Sequence, residues 1–301
     1  MIATPGRRLR DAMTAQRPLL LPGVHDALSG RLAQRAGFEV GYLSGSATAM
    51  TLLGLPDIGL LTGSEIVEQA RRITAASELA LVCDGDTGFG NAVNVAHTVR
   101  AMEAAGVAAI QLEDQTFPKR CGHFDGKSVV SAEEMLQKVW GAAQARRDDD
   151  FLIIARTDAR AIDGLEAAIE RGLRYADAGA DVIFVEAPQD TDELRQIGAR
   201  IPAPTLVNVV EGGRTPQLPL AEYGEMGFSV VLYPTAAVRT VTHALSELYG
   251  HLHGNGTTAG APVEMVSFAG RNEINGFEEY EAFAAGAARA AAALSPSPSA
   301  R

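Results

Sequence analysis

The stretch EAAGVAAIQLE, residues 103–113, decides the fold. It begins as the end of a helical segment, stops at Gly106, and continues as an apolar run with no polar alternation until Glu113. Glycine ends a helix well because it tolerates the left-handed backbone of the residue after the last turn. An apolar run without alternation is a strand covered on both faces, as in a parallel sheet. The same unit recurs as QRAGFEVGYLS at 34–44, DAGADVIFVEA at 177–187 and EMGFSVVLYP at 225–234.

Working outward, further apolar runs give eight candidate strands, near residues 18–22, 38–43, 79–83, 108–113, 151–156, 181–185, 204–209 and 228–233. Helical patterns fill gaps between them, at 25–36, 63–77, 92–105, 132–147, 163–178 and 235–250. Eight strands alternating with helices over about 250 residues predict an α/β fold of the (β/α)₈ TIM-barrel type. A doubly wound open sheet is the alternative, but it has fewer strands and often a G-x-G-x-x-G after the first, which is missing here. Beyond residue 250, HGNGTTAG reads as a loop, 262–293 as further helices and SPSPSAR as a tail of low hydrophobicity. One barrel domain with C-terminal helices is therefore expected over 1–293, and a disordered tail over 294–301. The N-terminal dozen residues and the C-terminal helices exceed a minimal barrel and are expected to pack on another subunit.

Composition sets the class. Of 301 residues, 47% are hydrophobic and 21% charged, enough apolar material for a substantial core. A net charge of −11 without a Lys/Arg cluster argues against a nucleic-acid surface. Two cysteines, Cys83 and Cys121, are too few for a disulfide framework. No apolar run reaches the ~18–20 residues of a membrane span, and the first residues lack the apolar stretch of a signal peptide. A soluble, cytoplasmic protein is the expectation.

A parallel barrel does its chemistry at the C-terminal ends of its strands. The second strand runs into Tyr42, Ser44, Gly45 and Ser46, and the third into Asp84 and Asp86. Glu113 and Asp114 end the fourth; Arg156, Thr157 and Asp158 the fifth; Glu186 the sixth; Asn208 lies on the seventh, with Glu211 after it. Exposure to solvent accounts for any one polar strand end, but not for the whole set. A D-x-D with a carboxylate on the neighbouring strand is a hard oxygen cluster, which suits Mg²⁺. Zinc is disfavoured, because no His/Cys pair has ligand spacing.

The long loop after the fourth strand carries Lys119, Arg120, Cys121, Gly122 and His123. Loops of this length in a compact domain are often functional lids. Cys121 has Lys119, Arg120 and His123 nearby in sequence, the electropositive setting in which a thiol exchanges protons readily. Cys83 ends a buried strand and is expected to pack.

The motifs YLSGSATAM, LGLPDIGLLT, DGDTGFGNA, IQLEDQ, PKRCGH, IIARTDA, VEA, EGGRTP and LYP resemble the isocitrate lyase / phosphoenolpyruvate mutase superfamily, from about residue 18 to about residue 285. They resemble most its short members of the 2-methylisocitrate lyase and 2,3-dimethylmalate lyase branch. The resemblance implies Mg²⁺ at Asp84, Asp86, Glu113 and Asp57. It implies a substrate carboxylate at Ser44, Gly45 and Ser46, and a second at Arg156, oriented by Glu186. Gly122, Asn208 and Thr215 would also meet the substrate. Cys121, with His123 beside it on the loop, would move the proton, and Tyr42 or a water would take the hydroxyl proton. The implied activity is retro-aldol cleavage of a small 2-hydroxy di- or tricarboxylate to a 2-oxo acid and a carboxylate, in a homotetramer of helix-swapped dimers. After Arg271-Asn272-Glu273 the chain runs straight into INGFEEY, which departs from 2-methylisocitrate lyases and points to a smaller dicarboxylate. Carboxyphosphonoenolpyruvate mutase chemistry and oxaloacetate hydrolysis are the alternatives within the fold; a non-catalytic barrel is the alternative outside it.

Overall fold

All eight apolar runs become parallel strands in the computed structural model, which describes residues 3–122, 124 and 126–294. They are β1 Leu19–Val24, β2 Val40–Leu43, β3 Ala80–Asp84, β4 Ala109–Glu113, β5 Leu152–Thr157, β6 Val182–Val185, β7 Thr205–Asn208 and β8 Val230–Tyr233. Each pairs with the next, and β1 returns to β8 from Leu19↔Val230 to Pro22↔Tyr233, so the sheet closes into a TIM-type (β/α)₈ barrel. The glycines of the repeated unit stand where a helix must turn into the next strand, Gly106 at φ 81° and Gly179 at φ 109°. At the other helix ends, Asp26, Thr62, Asn91, Ser131 and Asp190 accept a backbone N–H from the first turn, each worth about 1 kcal/mol.

Two crossover helices escape the periodicity. Thr191–Arg200 is mostly polar, with only Leu194 and Ile197 buried, and Leu220–Glu225 is six residues long. Neither offers the apolar stripe on which a sequence reading depends.

The strands alternate strictly between two cores. Leu43, Leu81, Cys83, Ile110, Ile153 and Val207 point outward to the helices. Tyr42, Val82, Ile154, Phe184, Leu206 and Leu232 belong to a separate cluster that fills the barrel. Leu9 and Ala12 of the helix Pro5–Ala15 join this inner cluster. Arg10 reaches Asp181 at 2.8 Å and the Asp150 carbonyl at 3.0 Å. The N-terminal helix therefore closes the bottom of its own barrel, which corrects the expectation that it serves a neighbouring subunit.

The chain divides into two compact units, Met1–Val241 with the barrel and Thr242–Arg301. The second holds the rest of the helix Ala236–Asn255 and the helices Phe268–Asn275 and Phe277–Leu294. Phe268, Tyr280 and Phe283 are exposed there. The tail from 295 onward lies outside the described residues. No helix among the described residues is long and apolar enough to cross a membrane.

Candidate active site

The two-residue alternation that fills the barrel continues past the strand ends, and there it changes from apolar to polar. Tyr42 is followed inward by Ser44, Val82 by Asp84 and Asp86, Ile154 by Arg156 and Asp158, Phe184 by Glu186, and Leu206 by Asn208. Tyr42, Ser44, Asp84, Arg156, Phe184, Glu186 and Asn208 of this set line a cavity of about 640 Å³ at the C-terminal mouth. Tyr42, Ser44, Ser46, Asp57 and Asp84 line one part of it; Cys121, Gly122, Arg156, Glu186 and Asn208 line another. This volume suits a small molecule.

The floor is acidic. Asp84 accepts the Asp86 N–H at 3.1 Å and the Gly45 N–H at 3.1 Å. A Cβ at position 45 would stand 2.9 Å from the Asp84 carboxylate, so only glycine allows that approach. The Lys119 ammonium sits between Asp57 and Asp86, 2.8 Å from the latter. Burial works against that ammonium, but Asp86 and the neighbouring carboxylates hold it well above its ordinary pKa. Glu113 places Oε2 3.2 Å from Arg156 Nη1, while its Oε1 is buried with no hydrogen-bond partner among the described residues.

Among the described residues the carboxylates of Asp57, Asp84, Asp86, Glu113, Asp158 and Glu186 are interleaved with Lys119, Lys127 and Arg156, and Arg120, Arg214, Arg239 and Glu211 also line the cavity. Burial, opposed by Lys119 and reinforced by Asp84 and Asp57, pushes Asp86 up to about 7, and burial likewise raises Glu113. Such a site takes a further cation more readily than a bare anion. Among the described residues no three Asp, Glu, His or Cys side chains form a closed shell by themselves. Mg²⁺ does not need one, since it keeps several waters and takes one or two carboxylates. The oxygen donors and the orphaned Glu113 Oε1 fit such an ion.

Arg156 donates from Nε to Asp158 Oδ2 at 2.9 Å and from Nη2 to Oδ1 at 3.0 Å. Its guanidinium lies 5.3 Å from the centre of the Phe184 ring, and Glu186 Oε2 is 3.6 Å from Nε. Asn208 Nδ2 spans both Glu186 oxygens at 3.4 Å. Asp114 is buried behind this wall, where it accepts Thr157 Oγ1, the Asp158 N–H and Tyr175 O–H at 2.8–2.9 Å, and Arg171 at 3.1 Å.

The loop with Cys121 is zipped at its base. Thr116 N–H donates to the Ser128 carbonyl at 2.9 Å, and Val130 N–H to the Asp114 carbonyl at 2.8 Å. Gln115 brackets the Arg120 peptide, Nε2 donating to its carbonyl at 2.8 Å and Oε1 accepting its N–H at 2.9 Å. Lys127 Nζ donates to the Gly122 carbonyl and, at 2.7 Å, to Asp158 Oδ1. Gly122 lies so close to Arg156 and Glu186 that a Cβ would come within 2.6 Å of the Glu186 carboxylate.

Some expected residues stand elsewhere. Thr215 is buried beside Arg214, which lines the cavity while Thr215 does not, and its Oγ1 has no hydrogen-bond partner. The Gly45 N–H is committed to Asp84. Asp86 and Glu113 lie beneath the lining, and His123 is outside the described residues. Lys119 points to Asp57 and Asp86, so its charge serves the acidic floor. Cys83 is fully buried. The sequence reading gave no role to Gln115, Lys127 or Asp158. Asp158 stood among the polar ends of the fifth strand without a role of its own; an isolated lysine in a loop gives no signal.

Residues 9–253 match the phosphoenolpyruvate phosphomutase family. The chain is 45% identical to the 2,3-dimethylmalate lyase of Eubacterium barkeri, across 90% of this chain and 94% of that one. It is 42% identical to the 2-methylisocitrate lyase of Bacillus subtilis (strain 168), across 91% and 90%. Against the chloroplastic carboxyvinyl-carboxyphosphonate phosphorylmutase of Arabidopsis thaliana it is 44% identical, across 85% and 77%. Among solved structures, a 2,3-dimethylmalate lyase, described as a PEP mutase/isocitrate lyase superfamily member, superposes with a TM-score of 0.89 at 33% identity, covering 95% and 96% of the two chains. An oxaloacetate acetylhydrolase with 3,3-difluorooxalacetate gives 0.89 at 32% identity, covering 95% and 97%. A phosphonopyruvate hydrolase complexed with oxalate and Mg²⁺ gives 0.83 at 31% identity, covering 94% and 99%.

Proposed function

Because the chain belongs to the phosphoenolpyruvate phosphomutase family, we propose that it is a Mg²⁺-dependent carbon–carbon lyase that cleaves a small 2-hydroxy di- or tricarboxylate of the 2,3-dimethylmalate or 2-methylisocitrate type. The observation that carries this reading is one cavity lined by Cys121, Arg156 and Asp84 together. It offers a proton donor, a carboxylate anchor and a cation-binding floor within reach of one small ligand.

Asp84, Asp86, Glu113 and Asp57 would hold Mg²⁺, partly through water. When bound, the ion lowers the pKa of the substrate hydroxyl and fixes the adjacent carboxylate. Ser44 and Ser46 bind one carboxylate through their hydroxyls, and Arg156 binds the other, held in place by Asp158 and Glu186. Asn208 fixes Glu186 from behind. As the hydroxyl loses its proton, the C–O bond becomes a carbonyl and the neighbouring carbon–carbon bond breaks. Its electron pair passes to the departing carboxylate fragment. The Cys121 thiol gives its proton to that carbon and becomes a thiolate. The Tyr42 O–H donates to Gln111 Oε1 at 2.9 Å, and burial, then Asp84, push the phenol up. Tyr42 therefore stays neutral and does not take the hydroxyl proton, which a water at the floor relays to one of the floor carboxylates. The exposed Phe268, Tyr280 and Phe283 support exchange of the C-terminal helices between subunits of a tetramer, which sedimentation would test.

The test follows 2-oxo acid release from 2,3-dimethylmalate and 2-methylisocitrate with Mg²⁺ and after chelation. Magnesium-dependent release that Cys121→Ala loses by about 10³-fold, the scale of a missing positioned acid, supports the reading. No release from either compound would sink it and turn attention to oxaloacetate, given the equally similar acetylhydrolase structure.

A further inference from the structure

The residues on either side of Cys121 are each tied down by a buried side chain, Gln115 on one side and Lys127 on the other, and neither is bonded to Asp57, Asp84, Asp86 or Glu113. We propose that Gln115 and Lys127 are positioning residues that hold Cys121 at the cavity; this rests on reading Cys121 as the proton donor.

Three attachments anchor the loop, and they differ in kind. Lys119 is bound to Asp57 and Asp86, so any cation at the floor competes with it. The other two involve neither Asp57 nor Asp86. Gln115 is buried and satisfies both the N–H and the carbonyl of Arg120, which fixes that peptide as a strand partner would. Lys127 bridges the Gly122 carbonyl to Asp158. Cys121 lies between these two pinned peptides, and its own carbonyl accepts the Phe124 N–H at 2.9 Å. The chain can therefore move little at residue 121.

The simpler account of Lys127 is neutralisation of Asp158. That carboxylate already has two hydrogen bonds from Arg156, and although burial opposes it, Arg156 and Lys127 hold its pKa below the usual carboxylate range. A buried ammonium also needs acceptors for its other N–H groups, and Lys127 takes the Gly122 carbonyl, which ties the loop to Asp158. Gln115 neutralises nothing, and its two bonds go to the residue preceding Cys121.

The experiment uses the full-length protein with Gln115→Glu, Lys127→Met and Lys127→Arg. Glutamate at 115 keeps the shape but loses the donor to the Arg120 carbonyl. One readout is kcat and KM; the other is iodoacetamide alkylation of Cys121, measured by mass spectrometry with and without Mg²⁺ and oxalate. Cys83, sealed in the barrel wall, reports in the same sample whether the fold has opened. The expected result is a fall in kcat of about 10²-fold, the scale of an ångström-sized misplacement, with KM moved far less. Protection of Cys121 by oxalate should be lost in Gln115→Glu and Lys127→Met, and partly restored in Lys127→Arg, while Cys83 stays unreactive. Unchanged kcat, unchanged protection, or alkylation of Cys83 together with Cys121 would each overturn the assignment. Failure of the proton-donor reading looks different: Cys121→Ser would turn over normally, whereas the thiol protection in the wild-type loop would still depend on Gln115 and Lys127.

Discussion

Arg156 is gripped by Asp158, the residue two positions further along the same chain, through Nε–Oδ2 at 2.9 Å and Nη2–Oδ1 at 3.0 Å. One edge of the guanidinium is therefore committed within the protein, and the end with Nη1 is turned toward Glu113 and the cavity. A lysine cannot occupy both edges, because its ammonium is a point charge without the planar fork. Arg156→Lys should lower kcat/KM by about 10²–10³-fold, the cost of losing an aimed hydrogen-bond donor. Steady-state kinetics on whichever carboxylate is turned over checks this, and a lysine variant within threefold of wild type would refute the anchor role.

The barrel was legible because its strands are buried on both faces and four of the eight end a glycine-punctuated unit; the pattern depends on period and composition alone. The site was legible where side chains follow the inward alternation, as Asp84, Arg156 and Glu186 do. Lys127 and Gln115 were not, since they bond to backbone atoms of their own loop, and backbone groups leave no trace in residue identity. Lys119 was visible but its direction was not. Proximity in sequence placed it beside Cys121, while the loop turns its ammonium to Asp57 and Asp86. The N-terminal helix was misjudged because covering a barrel bottom and covering a neighbouring subunit require the same apolar stripe.

Asp86 gives the protein a pH dependence of definite sign. Its folded pKa is pushed from 3.8 to about 7, chiefly by burial. The folded protein then holds a proton that the unfolded chain releases near pH 4. The associated stability is complete at low pH and is lost as pH rises through about 7. Glu113 shifts in the same direction. Metal-free protein should therefore lose melting temperature from pH 5 to 8 relative to Asp86→Asn. Mg²⁺ requires the ionised carboxylates, so its stabilising shift should grow over the same range. Melting curves at matched ionic strength decide it; a magnesium shift that shrinks toward pH 8 would contradict the assignment of the floor.

Asp114 supports the site from behind without touching the cavity. Thr157, Arg171 and Tyr175 converge on its Oδ2, while the Asp158 N–H takes Oδ1. An asparagine has one accepting oxygen, so either amide orientation opposes an N–H to an existing donor. Asp114→Asn should cost about 3 kcal/mol, in the range for breaking a buried ion pair. That corresponds to roughly 5–10 °C in melting temperature for a domain of this size. Thermal unfolding checks it, and a variant as stable as wild type would show that the four donors find other partners.

Gly122→Ala separates activity from stability in the opposite sense. The residue lies in the Cys121 loop, outside both hydrophobic clusters of the barrel. A Cβ there would nevertheless fall against Arg156 and within 2.6 Å of the Glu186 carboxylate. Neither group can retreat, because Arg156 is fixed by Asp158 and Glu186 is fully buried beside Asn208. The loop must therefore lift, carrying Cys121 with it and stretching the Lys127 contact to the Gly122 carbonyl. We expect kcat to fall by about 10²-fold, the scale of an ångström-sized misplacement, with the melting temperature within a few degrees of wild type. Iodoacetamide should also reach Cys121 faster in the presence of Mg²⁺ and oxalate. Full activity in Gly122→Ala would mean that the close approach of the loop to Glu186 is not needed in the reacting state.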